Sequence, residues 1–204
     1  MRKIVVLTFL SLDGVMQAPG GPEEDTSDGF KYGGWSFPYA DEISRAAIAE
    51  QIKPPFDLLL GRKTYDIFKD YWPKVDGKNN SIAAAFSEAK KYVVSNSSID
   101  LGWEESILIT GDDVASKIKD LKNQEGPMLQ VHGSSNLIQT LLKNDLVDEL
   151  WLKIYPITLG SGKRLFGEGT ITAGFSLIKS ETTSNGVIIA SYKRDGEVKT
   201  GSFD

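Results

Sequence analysis

VHGSSNLIQTLLKNDLVDELWLKIYP, residues 131–156, changes character three times within a short span. It opens on the end of an apolar run, Met128 to Val131, and breaks into His132-Gly133-Ser134-Ser135. Leu137, Ile138, Leu141 and Leu142 then fall on one face of a helix over Ser134 to Leu142, and Leu146 to Tyr155 alternates like a strand. Strand, helix and strand in succession imply parallel pairing with a helix laid across the sheet. The chain's one histidine, a glycine and two serines therefore stand at a strand-to-helix junction, which is where parallel sheets bind ligands.

The same rhythm extends outward in both directions. Residues 3–10 read as a buried strand, Asp41 to Ile52 as a helix ended by Pro54-Pro55, and Asp57 to Leu60 as a short apolar strand. A helix runs from Gly61 through Tyr65 and Phe68 towards Trp72, and another covers Ile82 to Ala89. Tyr92 to Val94 and Ile107 to Ile109 are strands, and Asp112 to Lys122 is a helix with an Asp cap. Phe175 to Thr183 and Val187 to Arg194 flank Ser184-Asn185-Gly186, an Asn-Gly hairpin signal. The expectation is an α/β fold of three layers, α/β/α, with a mixed, mostly parallel central sheet and an antiparallel C-terminal hairpin. Ser11 to Tyr39 is too long for an ordinary connection, and Phe30, Tyr32, Trp35 and Phe37 within it suggest a binding loop or lid.

Composition limits the classes of function. The 204 residues, 40% apolar, suit one domain over residues 1–204. With 23 Lys and Arg against 28 Asp and Glu the net charge is −5, and no basic block is dense enough to neutralise a nucleic-acid backbone. Cysteine is absent and there is a single histidine, which argues against thiolate or histidine-cluster metal sites and fits a cytoplasmic protein. Arg2, Lys3 and the apolar run Ile4 to Leu10 imitate a secretory signal, but Asp13 interrupts it and a buried strand explains the same residues. No stretch approaches the roughly 18 apolar residues of a membrane span.

Three junctions carry polar residues behind apolar strands. Gly61-Arg62-Lys63-Thr64 offers amides, two cations and a hydroxyl to a phosphate; Ser95-Asn96-Ser97-Ser98 offers neutral donors; His132-Gly133-Ser134-Ser135 offers close backbone approach. Singly each has a structural reading, as a turn or as an N-cap by Ser134 or Ser135. Jointly they suggest a dinucleotide lying across the sheet's edge. Gly160-Ser161-Gly162-Lys163 imitates a phosphate loop but fails it, because Ile157 stands at the first glycine and Arg164 at the Ser/Thr; Leu165 likewise spoils a dinucleotide fingerprint.

The ordered set Ser11-Leu12-Asp13-Gly14, Leu60-Gly61-Arg62-Lys63-Thr64-Tyr65, Val94-Ser95-Asn96-Ser97, His132-Gly133-Ser134-Ser135-Asn136-Leu137, Leu146-Val147-Asp148-Glu149-Leu150, and Pro156 with Leu159-Gly160-Ser161-Gly162 and Leu165-Phe166 resembles the bacterial dihydrofolate-reductase-like proteins. These are related to the reductase domain of the riboflavin-biosynthesis deaminase/reductase. The resemblance covers about the whole chain. It implies a dihydrofolate-reductase fold, NADPH as hydride donor and cofactor contacts at Gly14, Gly61, Arg62, Lys63, Thr64, Ser95, Asn96, His132, Gly133, Ser134, Ser135, Asn136, Gly160 and Gly162. Within that set Arg62 would lie nearest the adenosine 2′-phosphate, flanked by Ser95 and Asn96, and Leu159 to Gly162 would approach the nicotinamide or substrate. His132 and Ser134 occupy places where the family often has glycines.

Hydride transfer to C=N or C=O also needs a proton. Trp35 to Asp41 resembles the Trp-to-Asp segment of dihydrofolate reductases, one residue longer, which makes Trp35 and Phe37 candidate substrate contacts and Asp41 a candidate acid. Asp41 is equally placed to cap the following helix, and Asp13-Gly14 is either a second acid or a turn. The implied activity is most like that of 5-amino-6-(5-phosphoribosylamino)uracil reductase. Dihydrofolate reductase activity and a non-catalytic nucleotide- or pterin-binding module are the alternatives. A small-molecule substrate is expected, with neither nucleic acid nor membrane as partner. The unlike faces of Leu150, Leu152, Ile154 and of Trp151, Lys153, Tyr155, together with the resemblance, suggest a homodimer.

Overall fold

The computed structural model describes residues 1–97, 99 and 101–203. Eight strands form one sheet: β1 (Ile4–Ser11), β2 (Phe56–Gly61), β3 (Lys91–Val94), β4 (Ser106–Ile109), β5 (Met128–His132), β6 (Glu149–Tyr155), β7 (Phe175–Thr182) and β8 (Ile188–Arg194). Their order is β4-β3-β2-β5-β1-β6-β8-β7. The first six run parallel, and β8 and β7 add on antiparallel. This is the mixed, mostly parallel sheet expected from the alternation of elements. The segment that decides the fold contributes β5, α5 (Ser135–Lys143) and β6, with β1 inserted between the two strands.

The helices cover both faces. Strand β1, IVVLTFLS, is apolar almost throughout because helices lie above and below it. On one face Ile4, Val6, Leu59, Leu129, Val131, Leu150 and Leu152 meet α4 (Val114–Asn123) and α5, whose Leu137, Ile138, Leu141 and Leu142 form the buried stripe read from the sequence. On the other face Phe56, Leu58 and Leu60 meet α1 (Glu42–Gln51), α2 (Arg62–Tyr71) and α3 (Ser81–Glu88) through Ile48, Tyr65, Phe68 and Phe86. The unlike faces of β6 therefore look into two unlike interiors. The buried guanidinium of Arg2 pairs with Asp57 and donates to Pro127 O at 2.7 Å, which fastens the starts of β1, β2 and β5 together.

Local chemistry sets most boundaries. Asp41 and Ser44 form a reciprocal capping box, with Ser44 N donating to Asp41 Oδ1 at 2.8 Å and Asp41 N donating to Ser44 Oγ at 3.0 Å. The cap of α4 is Asp113 rather than Asp112, since it is Asp113 Oδ1 that accepts from Ser116 N at 3.0 Å. The C-terminal hairpin closes through Thr183 and Val187, with Gly186 at φ +80°, a conformation that suits glycine. No helix among the described residues is long and apolar enough to cross a membrane.

Leu141, fully buried on α5, fills the core against the sheet. Leu141→Ala is expected to cost about 2–5 kcal/mol in urea denaturation. A loss below about 1 kcal/mol would mean that this stripe does not hold α5 to the sheet.

Candidate active site

Two strand-to-helix junctions meet because β2 and β5 are neighbours. The chain leaves β2 at Gly61 and enters α2 at Arg62; it leaves β5 at His132 and enters α5 at Ser135. Ser134 joins the two. Its hydroxyl accepts from Gly61 N at 2.9 Å and donates to His132 O at 2.9 Å, while its own N–H donates to Thr64 Oγ1 at 3.0 Å. Ser134 sits at the N-cap position of α5, but its side chain does not cap the helix as the sequence suggested. It adopts left-handed backbone, φ 57° and ψ 46°, and its hydroxyl is committed across the sheet instead. Gly133 is also left-handed, at φ +51°, and a Cβ there would come within 3.3 Å of Thr64 Oγ1.

A cavity of about 600 Å³ opens above these junctions, at the carboxyl ends of the parallel strands. Gly61, Arg62, Lys63, Thr64, Ser95, Asn96, Gly133, Ser134, Ser135 and Asn136, all named from the sequence, line it. Ser98, the last residue of the Ser95–Ser98 junction, lies outside the described residues. Neither α2 nor α5 has a side-chain cap, so their leading amide groups and positive dipole ends face the lining. Every cation of this wall has a carboxylate at hand: Arg62 Nε is 2.6 Å from Asp66, and Asp25 takes Lys63 at 2.5 Å and Lys163 at 2.7 Å. Burial alone would raise the Asp25 carboxyl, but Lys163, Lys63 and Ser27 outweigh it and hold it well below the usual carboxylate range.

A second cavity of about 310 Å³ lies behind the first, on the α1–α3 face of the sheet. The two share Met16, Glu24, Thr64, Ile67 and Gly133, so they form one cleft with two compartments. The inner compartment is walled by Leu7, Phe9, Ile48, Ile52, Phe68, Trp72 and Phe86 and floored by polar groups from β5, β6 and the end of α1. Lys153 on β6 is 3% exposed; its ammonium bonds to Gln51 Oε1 and lies 5.4 Å from the Phe9 ring centre. Burial lowers its pKa to about 8. Gln130 Nε2 donates to Gln51 O at 2.8 Å, which turns Gln130 Oε1 towards His132 Nε2 at 3.0 Å. His132 therefore carries its proton on Nε2 and leaves Nδ1 as an acceptor. Burial, and then the nearby Lys153, push its pKa to about 3, so the ring is neutral. Its face is packed edge-on to Phe86 at 5.3 Å. Sequence reading set His132 on the cofactor; the structure sets it on the wall of the inner compartment.

Other residues named from the sequence fall outside both compartments. The Asp41 carboxylate is spent on Ser44 N and the Ser184 hydroxyl, which hold it well below the usual range. Asp13 is lowered to about 2 by Ser11 Oγ and then by the amides of Leu159 and Gly160, and it pins the 159–160 turn. Gly14 belongs to the same tight turn, its N–H donating to Ser11 O at 2.9 Å. Gly160 receives the Asp13 contact, and Gly162 makes room for Val15 and Phe30, whose side-chain atoms would lie within 2.9 Å of an added Cβ. Trp35, 7% exposed, packs edge-on against Tyr155 and donates Nε1–H to Gln17 O at 2.7 Å. Phe37 is 78% exposed.

The lining groups not read as site residues include Glu24, Asp25, Gln51, Lys153 and Lys163. Glu24 lines both compartments, and burial raises its pKa, partly offset by the amides of Gly20 and Gly21. Lys153 had left a trace in the sequence, as a lysine amid the apolar run LWLKIYP.

The RibD C-terminal domain family matches residues 2–189. The uncharacterised protein YyaP of Bacillus subtilis is 28% identical over 141 residues, 68% of this chain and 74% of that protein. A pyrimidine reductase-like protein from Corynebacterium diphtheriae superposes with a TM-score of 0.61 at 16% identity, over 96% of this chain and 93% of that one. Dihydrofolate reductase from Enterococcus faecalis, solved with NADP(H), superposes with a TM-score of 0.58 at 13% identity, over 95% and 96%. The fold is that of the dihydrofolate-reductase-like proteins.

The buried ammonium of Lys153 yields a stability test. Its folded pKa is depressed, so below about pH 8 both folded and unfolded chains hold the proton and the folded one bears the full cost of the buried charge. Between about 8 and 10.5 the folded protein sheds a proton that the unfolded chain keeps, and the cost is relieved. Lys153→Met should therefore stabilise the protein by roughly 3 kcal/mol at pH 7, with the gain shrinking as the pH rises to 10. A gain equal at pH 7 and pH 10 in chemical denaturation would mean that position 153 carries no buried charge.

Proposed function

Since the chain belongs to the RibD C-terminal domain family, we propose that it is an NADPH-dependent reductase transferring a hydride to a C=N or C=O of a pterin-like or ribosylaminopyrimidine substrate, most like 5-amino-6-(5-phosphoribosylamino)uracil reductase. The observation that carries this reading is the two-compartment cleft. A phosphate-suited outer compartment and an apolar inner one share a wall at Gly133, Thr64 and Met16. Bound NADPH would supply the hydride. The remaining requirements, anchoring, exclusion of water and delivery of one proton, fall to the chain's own residues.

The leading amides of α2 and α5 and the side chains of Arg62, Thr64, Ser95 and Asn96 suit the phosphates of a dinucleotide. The Arg62–Asp66 pair does not stand in the way, because it is an exposed i,i+4 contact worth about 0.3–0.5 kcal/mol, against about 1.5–3 for a hydrogen bond to a charged phosphate. The aromatic and branched side chains of the inner compartment keep water from the reacting bond. Reduction adds a hydride to carbon and a proton to nitrogen or oxygen, and Glu24, at the shared wall with a raised pKa, is the acid best placed to give that proton. Asp13 and Asp41 are ionised by their hydrogen bonds and lie outside the cleft.

Arg62→Ala should weaken NADPH by about ten- to a hundredfold and NADH much less, since only NADPH carries the 2′-phosphate. Equal loss for both in calorimetric titration would place Arg62 elsewhere on the cofactor. Glu24→Gln should lower turnover roughly a hundredfold or more while NADPH affinity stays within about twofold. Stopped-flow NADPH oxidation against a panel of dihydrofolate, other pterins and the ribosylaminouracil intermediate measures both activity and this loss. If no member of the panel is reduced, the reductase reading is wrong.

A further inference from the structure

The floor of the inner compartment carries a cation and no anion. Lys153 Nζ has one acceptor, Gln51 Oε1, and among the described residues no carboxylate pairs with it. An ammonium has three N–H donors and no acceptor, so donors remain for a ligand in a compartment whose walls are mostly hydrocarbon and rings. The carboxylate that does line the compartment, Glu24, stands at its mouth and already accepts from Gly20 N at 2.6 Å. The neutral His132 and the side chain of Gln130 are locked to each other and to α1, so the floor cannot rearrange to supply a charge.

We propose that Lys153 reads the oxygen-bearing edge of the substrate ring, so that the compartment takes planar heterocycles presenting carbonyl or deprotonated oxygen acceptors and rejects those presenting amino groups. This rests on the compartment being the substrate site. An oxygen beside Lys153 satisfies donors that burial would otherwise strand, whereas an amino group sets donor against donor in a water-poor site. Lys153 is on this view a specificity residue for the site, and it also draws electron density from a ring carbonyl it holds. The apolar walls select flatness; Lys153 selects which edge enters first.

The test uses a matched pair of bicyclic rings, pteridine-2,4-dione and 2,4-diaminopteridine, titrated calorimetrically into the full chain, with NADPH titrated separately. The wild type should bind the dione at least about tenfold more tightly than the diamine. Lys153→Met, which keeps an unbranched chain one atom shorter and is expected to be the more stable protein, should erase that ratio while leaving NADPH affinity unchanged. Lys153→Gln, which restores a neutral donor, should recover part of it. A purely structural role would lower both rings together and leave the ratio intact. A wild type that prefers the diamine, binds both equally or binds neither overturns the proposal, as does a ratio that survives in Lys153→Met. Dione preference without NADPH binding would sink the reductase reading and leave the role of Lys153 standing.

Discussion

One hydroxyl fixes the geometry on which the cleft depends. Ser134 Oγ takes the Gly61 N–H and gives its own proton to His132 O, so two loops that follow different strands move as one piece. The contact is possible only because β2 and β5 are adjacent and because Ser134 accepts left-handed backbone. That backbone state is disfavoured for a residue with a Cβ, and the surrounding hydrogen bonds outweigh the strain. With the hydroxyl spent in this way, the leading amides of α5 stay open to the cavity. Serine where a glycine would be easier thus exchanges backbone comfort for a fixed distance between two helix N-termini.

The elements, the sheet type and the outer half of the cleft were legible in the sequence. Helical spacing in α5, the continuous apolar run of β1 and the Asn-Gly turn before β8 are all local signals, and local physics decides them. The junction residues Gly61 to Thr64, Ser95, Asn96 and Gly133 to Asn136 were legible for a related reason: in a parallel sheet, a polar residue directly after a buried strand has few places to go but the ligand edge. Groups whose partners lie far along the chain were not legible. Asp13 meets residues 159–160, and Lys153 meets Gln51, contacts that no periodicity reports. Asp41 shows the limit from the other side, since a capping aspartate and a substrate-binding one have the same sequence signature.

Charge is distributed in the cleft in two different ways. In the outer compartment, cations and carboxylates are matched within the protein, and the Asp25 carboxylate holds two lysines from distant segments, Lys63 of α2 and Lys163 of the 160–164 turn. That bridge folds the long 12–39 segment over the cavity mouth, helped by Gln17, whose amide donates to the carbonyls of Asp25 and Ser27 at 3.1 Å. Among the described residues, the inner compartment's Lys153 has no such partner. A lysine without a counter-ion is the costlier arrangement for the folded state. On the reading proposed above, an incoming phosphate would replace one anion by another in the outer cavity, whereas a ligand of the inner one would meet a cation that the fold leaves uncompensated.

The position of β1 between β5 and β6 also shapes how the molecule can be made. Ile4 pairs with Leu129, and Val5 with Glu149, so β1 has no native neighbour until most of the residues after it have been made. At the usual pace of synthesis that interval is on the order of ten seconds, during which IVVLTFLS is exposed with both edges unpaired. Both pairings of β1 are thus non-local, and the entropy of closing the long intervening segments is spent before those contacts form.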